Sequence, residues 1–190
     1  MISHLGALGQ GWDAGRVAST IDVPGSANHS RTMTTAITCL WYDFQAEEAA
    51  DFYTSLIPDA HLGAVTRYPE GSPGELAGKA LTVEFEIAGQ RFVGLNGGPE
   101  FPFTEAVSIQ LLCDSQDEVD RYWDALTADG GAESVCGWLK DRWGLSWQIV
   151  PTRLTELLKD PDPAVAGRVN AAMMHMRKID VPTLEAAAAG

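Results

Sequence analysis

The chain repeats itself at an offset of 70 residues, which restricts it to folds made from two copies of one unit. AITCLWYD (36–43) reads as a strand, and QAEEAADFYTSL (45–56) follows with Ala49, Phe52, Tyr53 and Leu56 at the i, i+3, i+4, i+7 spacing of an amphipathic helix. AVSIQLLCD (106–114) is again a strand, followed by SQDEVDRYWDALTADGG (115–131). There Ser115 and Glu118 have capping-box spacing, and Val119, Tyr122, Trp123 and Leu126 share one face. At the offset of 70, Ala36 meets Ala106, Ile37 meets Val107, Thr38 meets Ser108, Glu48 meets Glu118, Phe52 meets Tyr122, Tyr53 meets Trp123 and Leu56 meets Leu126.

The remaining segments complete the units. Pro58 ends the first helix, and HLGAVTRY, KALTVEFEIAG and QRFVGLN are strand-like, the last two joined by a hairpin turn at Ala88 and Gly89. The order β, α, β, β, β is repeated approximately through AESVCGWLKD and LSWQIV. The predicted fold class is therefore α+β, with a first βαβββ module over 33–98, a second over 99–151 and a C-terminal helical extension over 152–190. In that extension Val165, Val169, Met173 and Met176 form a stripe that docks on the sheet or on a partner subunit. Residues 1–32 lack sustained periodicity and are expected to form a disordered tail, with Met33 opening the folded part.

The 190 residues suffice for a substantial core, as one domain or two repeated halves. Thirteen Lys and Arg against 26 Asp and Glu give a formal charge of −13, which repels phosphate backbones and anionic membranes, so no nucleic acid or membrane partner is expected. No apolar run is long enough to span a bilayer, and the first thirty residues lack a basic and apolar leader pattern; a cytoplasmic protein is expected. Cys39, Cys113 and Cys136 are odd in number and widely spaced, which fits reduced, structural thiols.

The segment GWLKDRWGLSWQIVP (137–151) carries the most specific pattern. Asp141 and Gly144 mark a turn, and Ser146 to Val150 a strand in which Ser146, Gln148 and Val150 share one face while Trp147 and Ile149 share the other. Such a strand either lines a polar cavity or presents a solvated face.

The duplicated unit, with A-x-x-F-Y at Ala49, Phe52 and Tyr53 and D-x-x-G-x-x-W-Q ending at Gln148, resembles the vicinal oxygen chelate superfamily of glyoxalase I, bleomycin-resistance proteins and extradiol dioxygenases. LNGGPEFPFTEAVS together with CGWLKDRWGLSWQIVP is similar to its PhnB-like branch, which carries a 3-demethylubiquinone 3-methyltransferase label. The resemblance spans residues 34–182 and implies a glyoxalase-like cup formed by two modules. Relatives hold a metal there with His, Glu or Gln from the first and last strand of each module. The equivalent positions here are Thr38, Val93 (Gly94 with a one-residue slip), Ser108 and Gln148, a quartet with no carboxylate and no imidazole. His4, His29, His61 and His175 fall elsewhere.

The resemblance thus implies a metal-independent cup that binds or transforms a small organic molecule, with no cofactor expected. Its expected lining is Thr38, Ser108, Gln110 and Gln148, with aromatic walls from residues such as Trp41, Phe101 or Phe103. Whether it is an enzyme stays open. The alternatives are a metal-dependent lyase, isomerase or dioxygenase, and a methyltransferase; against the latter, NGGP (96–99) leads into a Pro- and Phe-containing loop where a cofactor loop would open a helix. On the other side, Gln148 and Ser108 would merely satisfy each other, and Lys140, Asp141 and Arg142 would be solvated. Relatives place modules from two chains side by side, so a homodimer is expected.

Overall fold

The computed structural model describes residues 34–190, so the tail expected over 1–32 lies outside the described residues. The first module runs β1 (Thr38–Tyr42), α1 (Ala46–Leu56), β2 (His61–Arg67), β3 (Ala80–Ile87) and β4 (Gln90–Asn96). The second runs β5 (Ser108–Cys113), α2 (Gln116–Thr127), β6 (Ala132–Glu133), β7 (Trp138–Lys140) and β8 (Ser146–Pro151). Three helices follow: α3 (Thr152–Leu157), α4 (Pro163–Met173) and α5 (Val181–Ala189). Each module is one four-stranded sheet, ordered β1-β4-β3-β2 and β5-β8-β7-β6. The first and last strands of each module pair in parallel and the others antiparallel. The architecture is α+β, with two βαβββ modules and C-terminal helices.

Local chemistry sets the element ends. Ala88 and Gly89 both take positive φ, 48° and 76°, as a two-residue hairpin between twisted strands requires. Ser115 caps α2 by accepting from the Glu118 amide at 3.2 Å, while the Glu118 carboxylate accepts from the Asp114 amide at 2.8 Å, one residue upstream of a standard capping box. Gln45 gives α1 no side-chain cap. Buried Asn96, from the end of β4, supplies one instead: its Oδ1 accepts from the Ala46 amide at 2.9 Å and its Nδ2 donates to the Ala80 carbonyl at 3.0 Å.

One apolar core runs through both modules, from Leu40 and Tyr53 to Trp123, Trp147 and Ile149. On α2 the predicted face of Val119, Tyr122, Trp123 and Leu126 is buried. On α1, Ala46, Ala49, Ala50 and Tyr53 are buried, whereas Phe52 and Leu56 are only partly so. A second core joins Val150 to Leu154, Leu157, Val169, Ile179 and Leu184, with Val165, Met173 and Met176 packed against it. The apolar stripe of α4 is therefore occupied within its own chain.

The two modules superpose in sequence at an offset of 70 through their helices but not through their first strands. Leu40 and Tyr42 of β1 are buried under α1, whereas the residues 70 positions later, Gln110 and Leu112, are exposed. The connection from β1 to α1 has three residues (43–45) and that from β5 to α2 has two (114–115). Because strand side chains alternate, this one-residue difference exchanges the faces.

Candidate functional site

The face of the second sheet opposite Trp147 and Ile149 carries the polar residues singled out above. Parallel pairing sets Ser108 beside Ser146 and Gln110 beside Gln148, and β7 adds Lys140 beside Ser146 and Trp138 beside Gln148. Trp147 and Ile149 point the other way, into the core. The Gln148 amide donates to Ser108 Oγ at 2.8 Å and accepts from Gln110 Nε2 at 3.2 Å, so these three side chains form a connected network. Ser146, in the row between Ser108 and Lys140, is 1 % exposed, and its hydroxyl has no hydrogen-bond partner among the described residues.

Thr38 does not join them. Uninterrupted pairing along β1 gives it the face of Leu40 and Tyr42, opposite to that of Trp41, and its Oγ1 accepts from Gln90 Nε2 at 3.4 Å. This corrects the expected match of Thr38 with Ser108: the similar residue types hide the one-residue shift between the modules. Val93 pairs with Cys39 on the helix-free side and corresponds to Gln148, while Gly94 faces α1, where an added Cβ would lie 3.0 Å from that of Ala46.

The aromatic candidates line a separate recess. A cavity of about 340 Å³ opens where the end of β1, the segment 98–103 and the β7–β8 turn meet. Its lining includes Trp41, Phe101 and Phe103 together with Lys140, Arg142 and Trp143. The Trp41 indole donates to the Gly98 carbonyl at 2.7 Å and meets Phe101 edge-on at 4.9 Å between centroids; Phe103 meets Tyr42 edge-on at 5.2 Å. Gly97 permits this packing, since a Cβ there would lie 2.1 Å from the Trp41 ring. The polar network does not line this cavity: Lys140 does, and Ser108 lies two strands away in the same row, about 10 Å off at ordinary strand spacing.

Both cations of the recess have acidic partners. Lys140 Nζ lies 2.6 Å from Glu105 Oε1 and Arg142 Nη2 lies 2.8 Å from Asp129 Oδ2, with the two acidic side chains 66 % and 71 % exposed. Its bond to Lys140 holds Glu105 below the usual carboxylate range. Arg142 is further fixed by the ring faces of Phe52 at 4.8 Å and Trp143 at 5.4 Å.

Between the two flanking cations, Asp141 is 3 % exposed. Its Oδ1 accepts from the amides of Trp143 and Leu145, both at 3.0 Å, which closes the turn. Its Oδ2 accepts from the Tyr53 hydroxyl at 2.7 Å and Trp147 Nε1 at 2.8 Å. Burial raises its pKa, and the four donors oppose that rise. Tyr42 donates onward to Tyr53 at 3.4 Å, and burial raises both phenols. Asp141 is therefore a buried junction and not the solvated charge expected; its only sequence signal is the Asp-x-x-Gly-x-x-Trp spacing that brings turn amides and an indole to one carboxylate.

The residues at the metal positions do not fit a catalytic divalent ion. Ser108 and Gln148 are neutral and bonded to each other, and Val93 and Thr38 add no ligand of the required kind. Among the described residues, no three His, Cys, Asp or Glu side chains are grouped to hold one ion. The three cysteines are free, and burial raises their pKa values, that of Cys113 to about 12. No helix among the described residues is long and apolar enough to cross a membrane.

Comparison with known proteins bears on this geometry. The family model described as 3-demethylubiquinone-9 3-methyltransferase matches residues 34–150, which leaves out α3–α5. Among solved structures, the PhnB protein of Bacillus cereus is 30 % identical, with a TM-score of 0.57 over 63 % of this chain and 100 % of its own. Protein PA1353 from Pseudomonas aeruginosa is 20 % identical, with a TM-score of 0.52 over 63 % of this chain and 98 % of its own, a likeness of fold. No curated protein matches the chain.

Proposed function

This chain belongs to the 3-demethylubiquinone-9 3-methyltransferase family, the PhnB-like branch of the vicinal oxygen chelate superfamily, and from that premise we propose that it binds a small organic molecule without a metal ion. The cavity at the end of β1 carries this reading, because an aromatic-walled recess of about 340 Å³ with a few placed polar groups suits such a ligand. Trp41, Phe101 and Phe103 supply apolar surface and Gln45, Lys140 and Arg142 polar groups, while Ser108, Gln110 and Gln148, outside the lining, would meet a ligand that extends along the second sheet. Binding is assigned and turnover is not: Asp43 is the one carboxylate lining the recess, and no His or Cys lines it. The family's methyl-transfer description gains no support from the Gly97–Gly98 segment, which leads into an irregular loop and not a helix.

The reading includes a homodimer in a reducing compartment such as the cytoplasm. Val107, Leu112 and Leu62 are 62 %, 60 % and 43 % exposed, apolar area that a second copy would cover, and free thiols suit reducing conditions. Light scattering at micromolar concentration should give twice the chain mass; a monomer would refute the dimer.

The binding test is a ligand-observed NMR screen of small aromatic and aliphatic compounds against the full chain after dialysis with EDTA. Ligands that bind the wild type and are lost in Trp41→Ala support the proposal. A folded protein that binds none, or binds only after a divalent ion is restored, refutes it.

A further inference from the structure

The geometry points to a more specific occupant, resting on the cavity reading above: a flat molecule with an anionic group, such as an aromatic carboxylate. Two of the chain's 13 Lys and Arg residues, Lys140 and Arg142, line this one recess of an otherwise acidic protein. They flank Asp141, whose carboxylate is already engaged by four donors and is turned into the core. That carboxylate therefore makes no ion pair with either cation. Their ion-pair partners, Glu105 and Asp129, have largely exposed side chains. A ligand carboxylate exchanges for such a solvated partner at little cost, because the cation is charged and paired both before and after.

Arg142 is the stronger anchor. Its side chain is 24 % exposed, and its guanidinium carbon lies over the ring faces of Phe52 and Trp143, while its Nη2 pairs with the exposed Asp129. A side chain held in place before the ligand arrives loses less freedom on binding. Trp41, Phe101 and Phe103 line the same recess and offer aromatic surface to a ring, and Phe101 is 64 % exposed, area that a bound ring would cover. The net charge of −13 works against anion approach at long range, but screening confines that repulsion to about 8 Å at physiological salt, whereas the two cations act at contact.

The experiment compares 2-naphthoate with 2-naphthamide, isosteres that differ in charge, by titration calorimetry on the full chain and on Arg142→Gln and Lys140→Gln, each checked for fold by circular dichroism. The carboxylate should bind at least about tenfold more tightly than the amide to wild type. In Arg142→Gln the preference should fall below about threefold, with a smaller fall in Lys140→Gln. Equal affinities, or a tighter amide, overturn the anionic class and leave the cavity reading intact. A carboxylate preference unchanged in both variants also overturns it, since the anion would be held elsewhere. If neither compound binds the folded wild type, the ligand class and the cavity reading fail together.

Discussion

Tyr53, on the helix of the first module, donates its hydroxyl at 2.7 Å to Asp141, in the last turn of the second. They lie 88 residues apart, and the bond is the polar link in an aromatic contact surface where Tyr53 also meets Trp143 and Trp147 at centroid distances of 5.4 and 5.1 Å. Removing the hydroxyl in Tyr53→Phe leaves a buried carboxylate oxygen with Trp147 as its remaining side-chain donor. The expected loss is about 1–3 kcal/mol in urea unfolding. Tyr42→Phe, which removes only a 3.4 Å bond between phenols, should cost less than half as much. Equal costs would deny Asp141 its role as the junction.

Gly97 decides whether Trp41 can stand at the cavity wall. Any side chain there collides with the indole, so Gly97→Ala should displace Trp41 and break its bond to the Gly98 carbonyl. The expected readout is a changed emission maximum together with loss of every ligand that depends on Trp41. Unchanged affinity for those ligands would mean that this wall is not used.

The C-terminal helices lie outside the family match, yet their core is continuous with the second sheet through Val150. Ile179 is fully buried, and its carbonyl accepts from Gln116 at the start of α2. Ile179→Ala should therefore destabilise the whole chain by about 2–4 kcal/mol in a single transition. A separate early transition, with the main one unmoved, would show the extension to be an independent appendage.

Acid should loosen the same extension first. Its bonds to Lys178 and Gln116 hold Asp120 below the usual carboxylate range, and bonds to Trp123 and Arg177 do the same for Glu133. A carboxylate whose folded pKa is lowered contributes fully above its unfolded value and loses that contribution as pH falls through the folded one. Hydrogen exchange at Cys136 and Gly137, whose amides bond to the carbonyls of Met176 and Arg177, should thus quicken relative to the core as the pH falls from about 5 through these lowered values. In Asp120→Asn part of this effect should already be present at neutral pH. Protection that is flat across the range would contradict it.

Much of the architecture is legible in the residues alone. The helix periodicities of 45–56 and 115–131, the turn at Ala88 and Gly89, and the Ser115 cap are local, so each short segment carries its own signal. The alternation in β8 places Gln148 and Ser146 together against Trp147 for the same reason. What the tertiary structure alone decided involves distant partners or single-residue registers. Thr38 resembles Ser108 in chemistry, yet one extra residue before α1 turns it to the other face, because strand periodicity is two and a shift of one is invisible to composition. Asn96 reads as the last residue of a strand and also caps a helix, and Asp141 reads as a solvated charge and is a buried junction. Their hydrogen-bond partners, Ala46 and Tyr53, are near only after folding, and burying a polar atom is costly where such partners do not converge.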